Sequence, residues 1–306
     1  MRIKERIKTE LKRWRFFRDF FEKRRQQYQR KLDLEALRRR QLDGRWWLRR
    51  IHDALACPDN ECIPRHPQAG QIIDECQIMH NGVRIARGSY DGLPVQKMLC
   101  LNRGVHEPQE ERIFGEALKY MPAGGVMMEL GAYWGFYSLW FAKTVPNARC
   151  FLVEPFMLNL NSGRLNFLLN NLTATFFHGG IGAKNHHNPF AAPTVTVDYL
   201  MQMWGLDHVH LLHSDIQGFE ADMLRGAEQA LHGQKIDFIF ISTHSSEIHR
   251  QCAEELRRLG FCLMVDMNLD ESYSVDGVLA ARRAELAGPP ENFPVSRKPR
   301  MLTPGR

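Results

Sequence analysis

Over its second half the chain alternates short continuous apolar runs with stretches whose apolar positions recur at helical spacing. Residues 126–130 are apolar apart from Glu129, Gly131 and Gly135 follow, and residues 136–143 then take on a helical pattern. The order is strand, glycine turn, helix. Apolar runs at 148–153, 209–214 and 238–243 repeat the strand signature, and a further helix is predicted over 221–231, closed by Gly233. Strands alternating with helices predict an open α/β sheet with mainly parallel pairing.

The first half reads differently. Residues 1–40 contain neither Gly nor Pro, so propensity alone predicts a helical arm. Ile7, Trp14, Phe21 and Tyr28 recur every seventh position, with Ile3, Leu11, Phe17 and Phe20 beside them, and arginines clothe the other side. Between residues 44 and 103, Trp46 and Trp47, a Pro/Cys/Asp-rich turn region and short β-like pieces such as 83–86 suggest a cap. The predicted organisation is a basic helical arm (1–43), a cap on the substrate side (44–104), an α/β catalytic domain (105–288) and a C-terminal tail (289–306).

Charge sharpens this division. Residues 1–50 hold 19 Lys/Arg against 7 Asp/Glu, a balance of +12, while the remaining residues hold 22 against 28, a balance of −6. The basicity of the chain therefore belongs to the arm. Three uses of the arm stay open: packing on its own domain or on a second copy as a homo-oligomer, lying on an anionic membrane through residues 1–40, or contacting nucleic acid. Nucleic acid is the least favoured, because no recognisable nucleic-acid module accompanies the charge.

The 44% apolar and 25% charged residues are those of an ordinary globular protein. No apolar stretch approaches the roughly 20 residues of a membrane-spanning helix. The seven cysteines are dispersed, several within apolar runs, which fits a reducing compartment. Cys57 and Cys62 lack the second ligand pair that a zinc site needs. A cytoplasmic protein is expected, either free or peripheral at the inner face of the membrane.

The candidate chemistry lies at strand ends, where open α/β sheets bind ligands. A dinucleotide turn favours three glycines and a pyrophosphate at the helix N-terminus, but this turn has two glycines with Glu129 just ahead of them. An acid there repels a pyrophosphate and suits a cationic amino-acid moiety, so the expected cofactor is S-adenosylmethionine. Glu154, at the end of the next strand and followed by Pro155, is placed to accept hydrogen bonds from ribose hydroxyls. A third acid, Asp215, closes the 209–214 run.

At this point the chain resembles the FkbM-type methyltransferases of class I. The matching stretches are residues 128–138, 153–155, the 163–171 helix with Asn166 and Asn170, 196–198 and 214–227, and residues 106–111 resemble the acidic lead-in of many members. The resemblance implies a Rossmann-like fold with a seven-stranded, mostly parallel sheet, and cofactor contacts from Glu129, Gly131, Ala132, Tyr133, Gly135, Ser138, Glu154 and Pro155. It also implies methylation of a hydroxyl, often on a sugar of a glycan, glycolipid or natural product. Tyr133 stands where Asn is usual, Gln217 where an acid is common, and His213 where Lys is frequent.

A hydroxyl is a poor nucleophile, so methyl transfer needs an aligned oxygen and a proton acceptor or a metal. Asp215 is the first candidate for base, orienter or metal ligand, and His244, at the end of the neighbouring strand, is the next. His213 lies one pleat from Asp215 and is the third, with a hydrogen-bonded structural histidine as the bland alternative. A divalent ion on Asp215, Glu220 and His244 is open, with Glu220 alternatively a first-turn helix acid. His208, His210 and His249 read as ordinary histidines. The Asn/Asp, double-proline and aromatic sequence of many nucleobase methylases is absent after the fourth strand, so base methylation is disfavoured. The competing readings are an RNA ribose O-methyltransferase recruited by the arm and a non-catalytic, membrane-associated scaffold of glycan assembly.

Overall fold

The computed structural model describes residues 44–90, 92–187 and 191–299. The predicted arm, residues 1–43, lies outside the described residues. In chain order the helices are α1 (Gly44–Ala56), α2 (Gly92–Leu101), α3 (Pro108–Leu118), α4 (Phe136–Thr144), α5 (Met157–Leu169), α6 (Val197–Met203), α7 (Glu220–Gly226), α8 (Glu228–His232) and α9 (Ser246–Arg258). The strands are β1 (Ile72–Ile73), β2 (Cys76–Ile78), β3 (Arg84–Ala86), β4 (Val126–Leu130), β5 (Arg149–Glu154), β6 (Thr175–His178), β7 (Gly180–Ile181), β8 (Thr194–Val195), β9 (Val209–Ser214), β10 (Ile236–Thr243), β11 (Phe261–Met267) and β12 (Gly277–Arg283).

Seven strands form the main sheet in the order β11-β12-β10-β9-β4-β5-β6. Pairing is parallel throughout β10-β9-β4-β5-β6, and β12 runs antiparallel to both of its neighbours. β11 therefore points the same way as the parallel strands, and the loop after it opens on the same edge as the turn after β4. Pleating sends Phe238 and Phe240 to one face, under α3 and α4, and Ile239 and Ile241 to the other. Covering both faces explains why these strands read as unbroken apolar runs.

The helix predicted over 221–231 is two helices, broken at Ala227. Gly226 packs so closely that a side chain there would overlap the Gly182 carbonyl. The carboxylate of Asp198 then starts the second helix by accepting the N–H groups of Gln229 and Ala230, both at 2.9 Å. The helix predicted over 163–171 begins earlier, at Met157, and stops before Asn171, whose φ of +54° is left-handed.

Asn166 and Asn170 tie the cap to the domain. Asn170 accepts the Arg84 N–H at 2.9 Å and donates to the Arg84 carbonyl at 2.6 Å, and Asn166 accepts the Ala86 N–H at 2.8 Å. The three-stranded sheet β1-β2-β3 thus rides on α5. The tail is also fastened, because the N–H groups of Asn292 and Phe293 donate to the Leu263 and Met264 carbonyls.

Candidate active site

The turn after β4 is built from left-handed residues. Gly131 has φ +72°, Tyr133 +46° and Gly135 +74°, and the chain then enters α4. Glycine at 131 is required by contact, since a Cβ there would overlap the Asp215 carbonyl oxygen. Glu154 braces the turn: one carboxylate oxygen accepts the Tyr133 N–H at 3.0 Å, and the other accepts the Phe156 N–H at 2.9 Å and the Asn159 side-chain amide at 3.2 Å. Both its oxygens are thereby fixed in direction.

In front of this turn lies a cavity of about 600 Å³. Gly131, Tyr133, Glu154, Pro155, Asp215 and Gln217 line it, with Gly179–Lys184 closing one side. Its size suits a nucleoside carrying an amino-acid arm. Of the predicted cofactor residues, Gly131, Tyr133, Glu154 and Pro155 reach the wall, whereas Ala132, Gly135, Ser138 and Glu129 lie behind it. Glu129 accepts the Ser138 N–H at 3.0 Å, so it caps the first turn of α4 from beneath. Burial raises the Glu129 carboxyl above its usual range, against the opposing pull of His213 and that hydrogen bond.

Asp215, Glu220 and His244 converge beside the cavity. Their neighbour Asp276, just ahead of β12, was not foreseen. His244 Nδ1 lies 2.7 Å from Glu220 Oε1, and its Nε2 lies 3.2 Å from Asp215 Oδ1 and 3.4 Å from Asp276 Oδ1. Burial alone would lower the His244 pKa, but hydrogen bonds to Asp215 and Glu220 and the charges of Asp215 and Asp276 raise it to about 11. The ring is therefore an imidazolium at neutral pH. Burial, followed by the charge of Asp215, pushes the Asp276 carboxyl up to about 7 against the pull of His244 and Arg50. Gln217, at φ +56°, donates to Asp215 Oδ1 at 3.0 Å.

His213 lies apart from this group, 3% exposed, stacked on Tyr137 at 4.2 Å and held to Glu110 Oε1 at 2.9 Å. The lead-in 106–111 that places Glu110 is a buried polar network. Glu111 accepts the N–H groups of His106 and Glu107 at 2.7 and 2.8 Å and lies 2.9 Å from His80, while Glu107 meets Arg50 at 3.3 Å and the Tyr137 hydroxyl at 3.1 Å. The three carboxylates of this lead-in, Glu107, Glu110 and Glu111, are all buried.

As placed, His244 stands between Asp215 and Glu220, which it engages through opposite ring nitrogens. Among the described residues, the group of three with ligand atoms within 4.8 Å is His208, His210 and Asp237. His210 Nδ1 accepts the Val126 N–H at 3.0 Å, so its proton sits on Nε2 and that nitrogen has no lone pair for a metal. His249 bridges Thr243 and Asp266. All seven cysteines are free. No helix among the described residues is long and apolar enough to cross a membrane.

A seven-stranded sheet with one antiparallel strand, a glycine turn after its central strand and an acid at the end of the next strand define a class I, Rossmann-like methyltransferase that depends on S-adenosylmethionine. Residues 129–263 match the Methyltransferase FkbM domain. No curated protein matches the chain. Among solved structures, it resembles a precorrin-6y C5,15-methyltransferase from Geobacter metallireducens GS-15 at 14% identity, covering 56% of this chain and 89% of that one with a TM-score of 0.40. A methyltransferase from Geobacter sulfurreducens matches at 17% identity over 59% and 80% of the two chains, TM-score 0.41. A putative rRNA-methylase from Clostridium thermocellum matches at 11% over 57% and 94%, TM-score 0.42.

Proposed function

We propose that the chain transfers the methyl group of S-adenosylmethionine to a hydroxyl of a sugar in a glycan, glycolipid or glycosylated natural product. The observation that carries this reading is the position of Asp215, which lines the cofactor cavity and also holds His244 at 3.2 Å. Proton-handling groups thus border the place where the methyl group would be presented. When bound, S-adenosylmethionine supplies an electrophilic carbon on a sulfonium. Glu154 and the 131–135 turn orient its nucleoside, and Asp215 adds a negative charge near the sulfonium.

An O-nucleophile must lose its proton during transfer, and an imidazolium cannot take it. The carboxylates around His244 are the acceptors, and the cation between them holds them in place. A divalent ion bridging Asp215, Glu220 and His244 would have to displace that ring, so methyl transfer is expected to persist in excess EDTA. A loss of activity restored by magnesium or manganese would overturn this point.

Calorimetry tests the cofactor reading. Wild type should bind S-adenosylmethionine, and Glu154→Ala should weaken it at least tenfold, since two or more charge-assisted hydrogen bonds of about 1 kcal/mol or more each are lost. Absence of binding, or equal binding by the variant, refutes it. Mass spectrometry of the host's surface glycans with and without this protein tests the acceptor class by seeking the mass of one methyl group.

A further inference from the structure

Asn166 and Asn170 both hold β3 from α5, and Asn166 also reaches the cofactor turn. Its side-chain N–H donates to the Trp134 carbonyl at 2.9 Å while its oxygen accepts the Ala86 N–H at 2.8 Å. The residue is fully buried and stands behind the cavity wall. We propose that Asn166 is a positioning residue for S-adenosylmethionine: it fixes the peptide between residues 134 and 135, and with it the left-handed turn of the cavity wall, against the cap. The inference rests on the cofactor reading above and adds to it what keeps the turn in its binding shape.

The turn is a shape that its own sequence resists. Tyr133 is left-handed at φ +46°, a region that glycine and asparagine enter readily and a bulky side chain does not. Gly135, at φ +74°, tolerates either sign of φ, so the peptide joining 134 to 135 can rotate at little cost. That peptide carries two groups on which the turn depends. Its N–H, on Gly135, donates to the Ala132 carbonyl at 2.6 Å and closes the turn, and its C=O, on Trp134, is the one that Asn166 takes. Rotation would break both bonds and release Tyr133, which lines the cavity.

Other contacts grip the turn elsewhere. Glu154 accepts the Tyr133 N–H at 3.0 Å and so fixes the peptide between residues 132 and 133. The Trp134 ring stacks on Tyr90 at 4.5 Å and on Phe136 at 5.0 Å, and Tyr90 meets the Tyr133 ring edge-on at 5.6 Å. Ring packing holds side chains but leaves the direction of a carbonyl free, so it does not set the plane that Asn166 holds. Glu154, from β5, and Asn166, from α5, therefore secure the peptide planes at the two ends of the Tyr133–Trp134 pair. α5 comes near enough for this because Gly163 faces the turn, where a Cβ would stand 3.4 Å from the Tyr133 carbonyl oxygen. Asn170 supplies an internal comparison: its bonds run to the Arg84 N–H at 2.9 Å, the Arg84 carbonyl at 2.6 Å and the Asn166 carbonyl at 2.7 Å, so it ties the cap to the same helix by another route.

The test is amide hydrogen exchange and calorimetric binding of S-adenosylhomocysteine on the full chain, with Asn166→Ala and Asn170→Ala beside wild type. Asn166→Ala should speed exchange at the Gly135 N–H about tenfold and weaken S-adenosylhomocysteine about tenfold, the size expected for one buried hydrogen bond. Asn170→Ala should leave both within twofold of wild type, even where urea denaturation shows an equal loss of stability. Unchanged exchange at Gly135 in Asn166→Ala, or equal weakening of binding by the two variants, overturns the proposal. Should Asn166→Ala fail to fold, wild type decides. Added S-adenosylhomocysteine should slow exchange of the Ala86 N–H, which Asn166 holds, and leave that of the Arg84 N–H, which Asn170 holds, because coupling between two sites is reciprocal. Equal effects on the two amides overturn the proposal. Absence of binding by wild type sinks the methyl-transfer reading, whereas the Gly135 exchange rates still decide the role of Asn166, so the two failures are distinguishable.

Discussion

Gly131 and Asp215 meet backbone to backbone, the Asp215 N–H donating to the Leu130 carbonyl at 2.9 Å while the Asp215 carbonyl fills the space a Gly131 side chain would need. This contact locks the cofactor turn to the end of β9, so the acid on that strand end has one position relative to the cavity. Gly131→Ala combines a clash with a left-handed φ of +72°. It is expected to lose at least tenfold in S-adenosylmethionine affinity and about 2–4 kcal/mol of stability, the latter in urea denaturation. Wild-type values for both would show that the turn tolerates a side chain.

The His244 cluster makes stability depend on pH. The folded-state pKa of His244 is raised from 6.5 to about 11, so its stabilisation is full below about 6.5 and is lost as pH rises through about 11. Asp276, raised from 3.8 to about 7, also favours the fold in its protonated form, and that contribution fades as pH climbs through about 7. Arg50, Glu107, Asp215 and Glu220 are the other charged groups acting on this pair. The gap in urea midpoint between wild type and His244→Gln should therefore be widest near pH 6 and shrink steadily at pH 8.5 and 10. A gap independent of pH would contradict an imidazolium at this position.

Glu111 is fully buried beside His80 and His106, and both of these neighbours hold its carboxyl below the usual range against the effect of burial. Its truncation leaves the N–H groups of His106 and Glu107 without that acceptor and removes one of the two carboxylates beside the His106 ring. Glu111→Ala should cost about 3–5 kcal/mol, the range for removing one partner of a buried ion pair. Glu116, exposed on the same helix, serves as the control, and its change to Ala should lie within about 0.5 kcal/mol of wild type in the same denaturation series.

For the basic arm we propose contact with an anionic membrane. Flotation with vesicles containing phosphatidylserine should carry the full chain and leave behind a chain lacking residues 1–43, with release by 0.5 M salt. Equal behaviour of the two chains would end the membrane proposal. A steep, arm-dependent salt effect on RNA binding would instead support the ribose reading.

Much of the fold could be read along the chain because the information is local. Apolar runs at 126–130, 148–153, 209–214 and 238–243 became β4, β5, β9 and β10, and Gly131 and Gly135 marked the turn, since a strand buried on both faces and a left-handed turn each leave a mark in neighbouring residues. Glu154 and Asp215 were legible for the same reason, as acids at the ends of such runs. Distance in sequence hid the rest. Asp276 joins the His244 cluster from a hairpin loop 32 positions on from His244, and Arg50 and Lys298 approach one cavity from opposite ends of the described chain. The burial of Glu107, Glu110 and Glu111 was hidden too, because a carboxylate carries no local sign of whether water or a distant histidine will surround it. Strands and turns are set by near neighbours, whereas the protonation, direction and partners of a charged side chain depend on which remote segments the packed sheet brings against it.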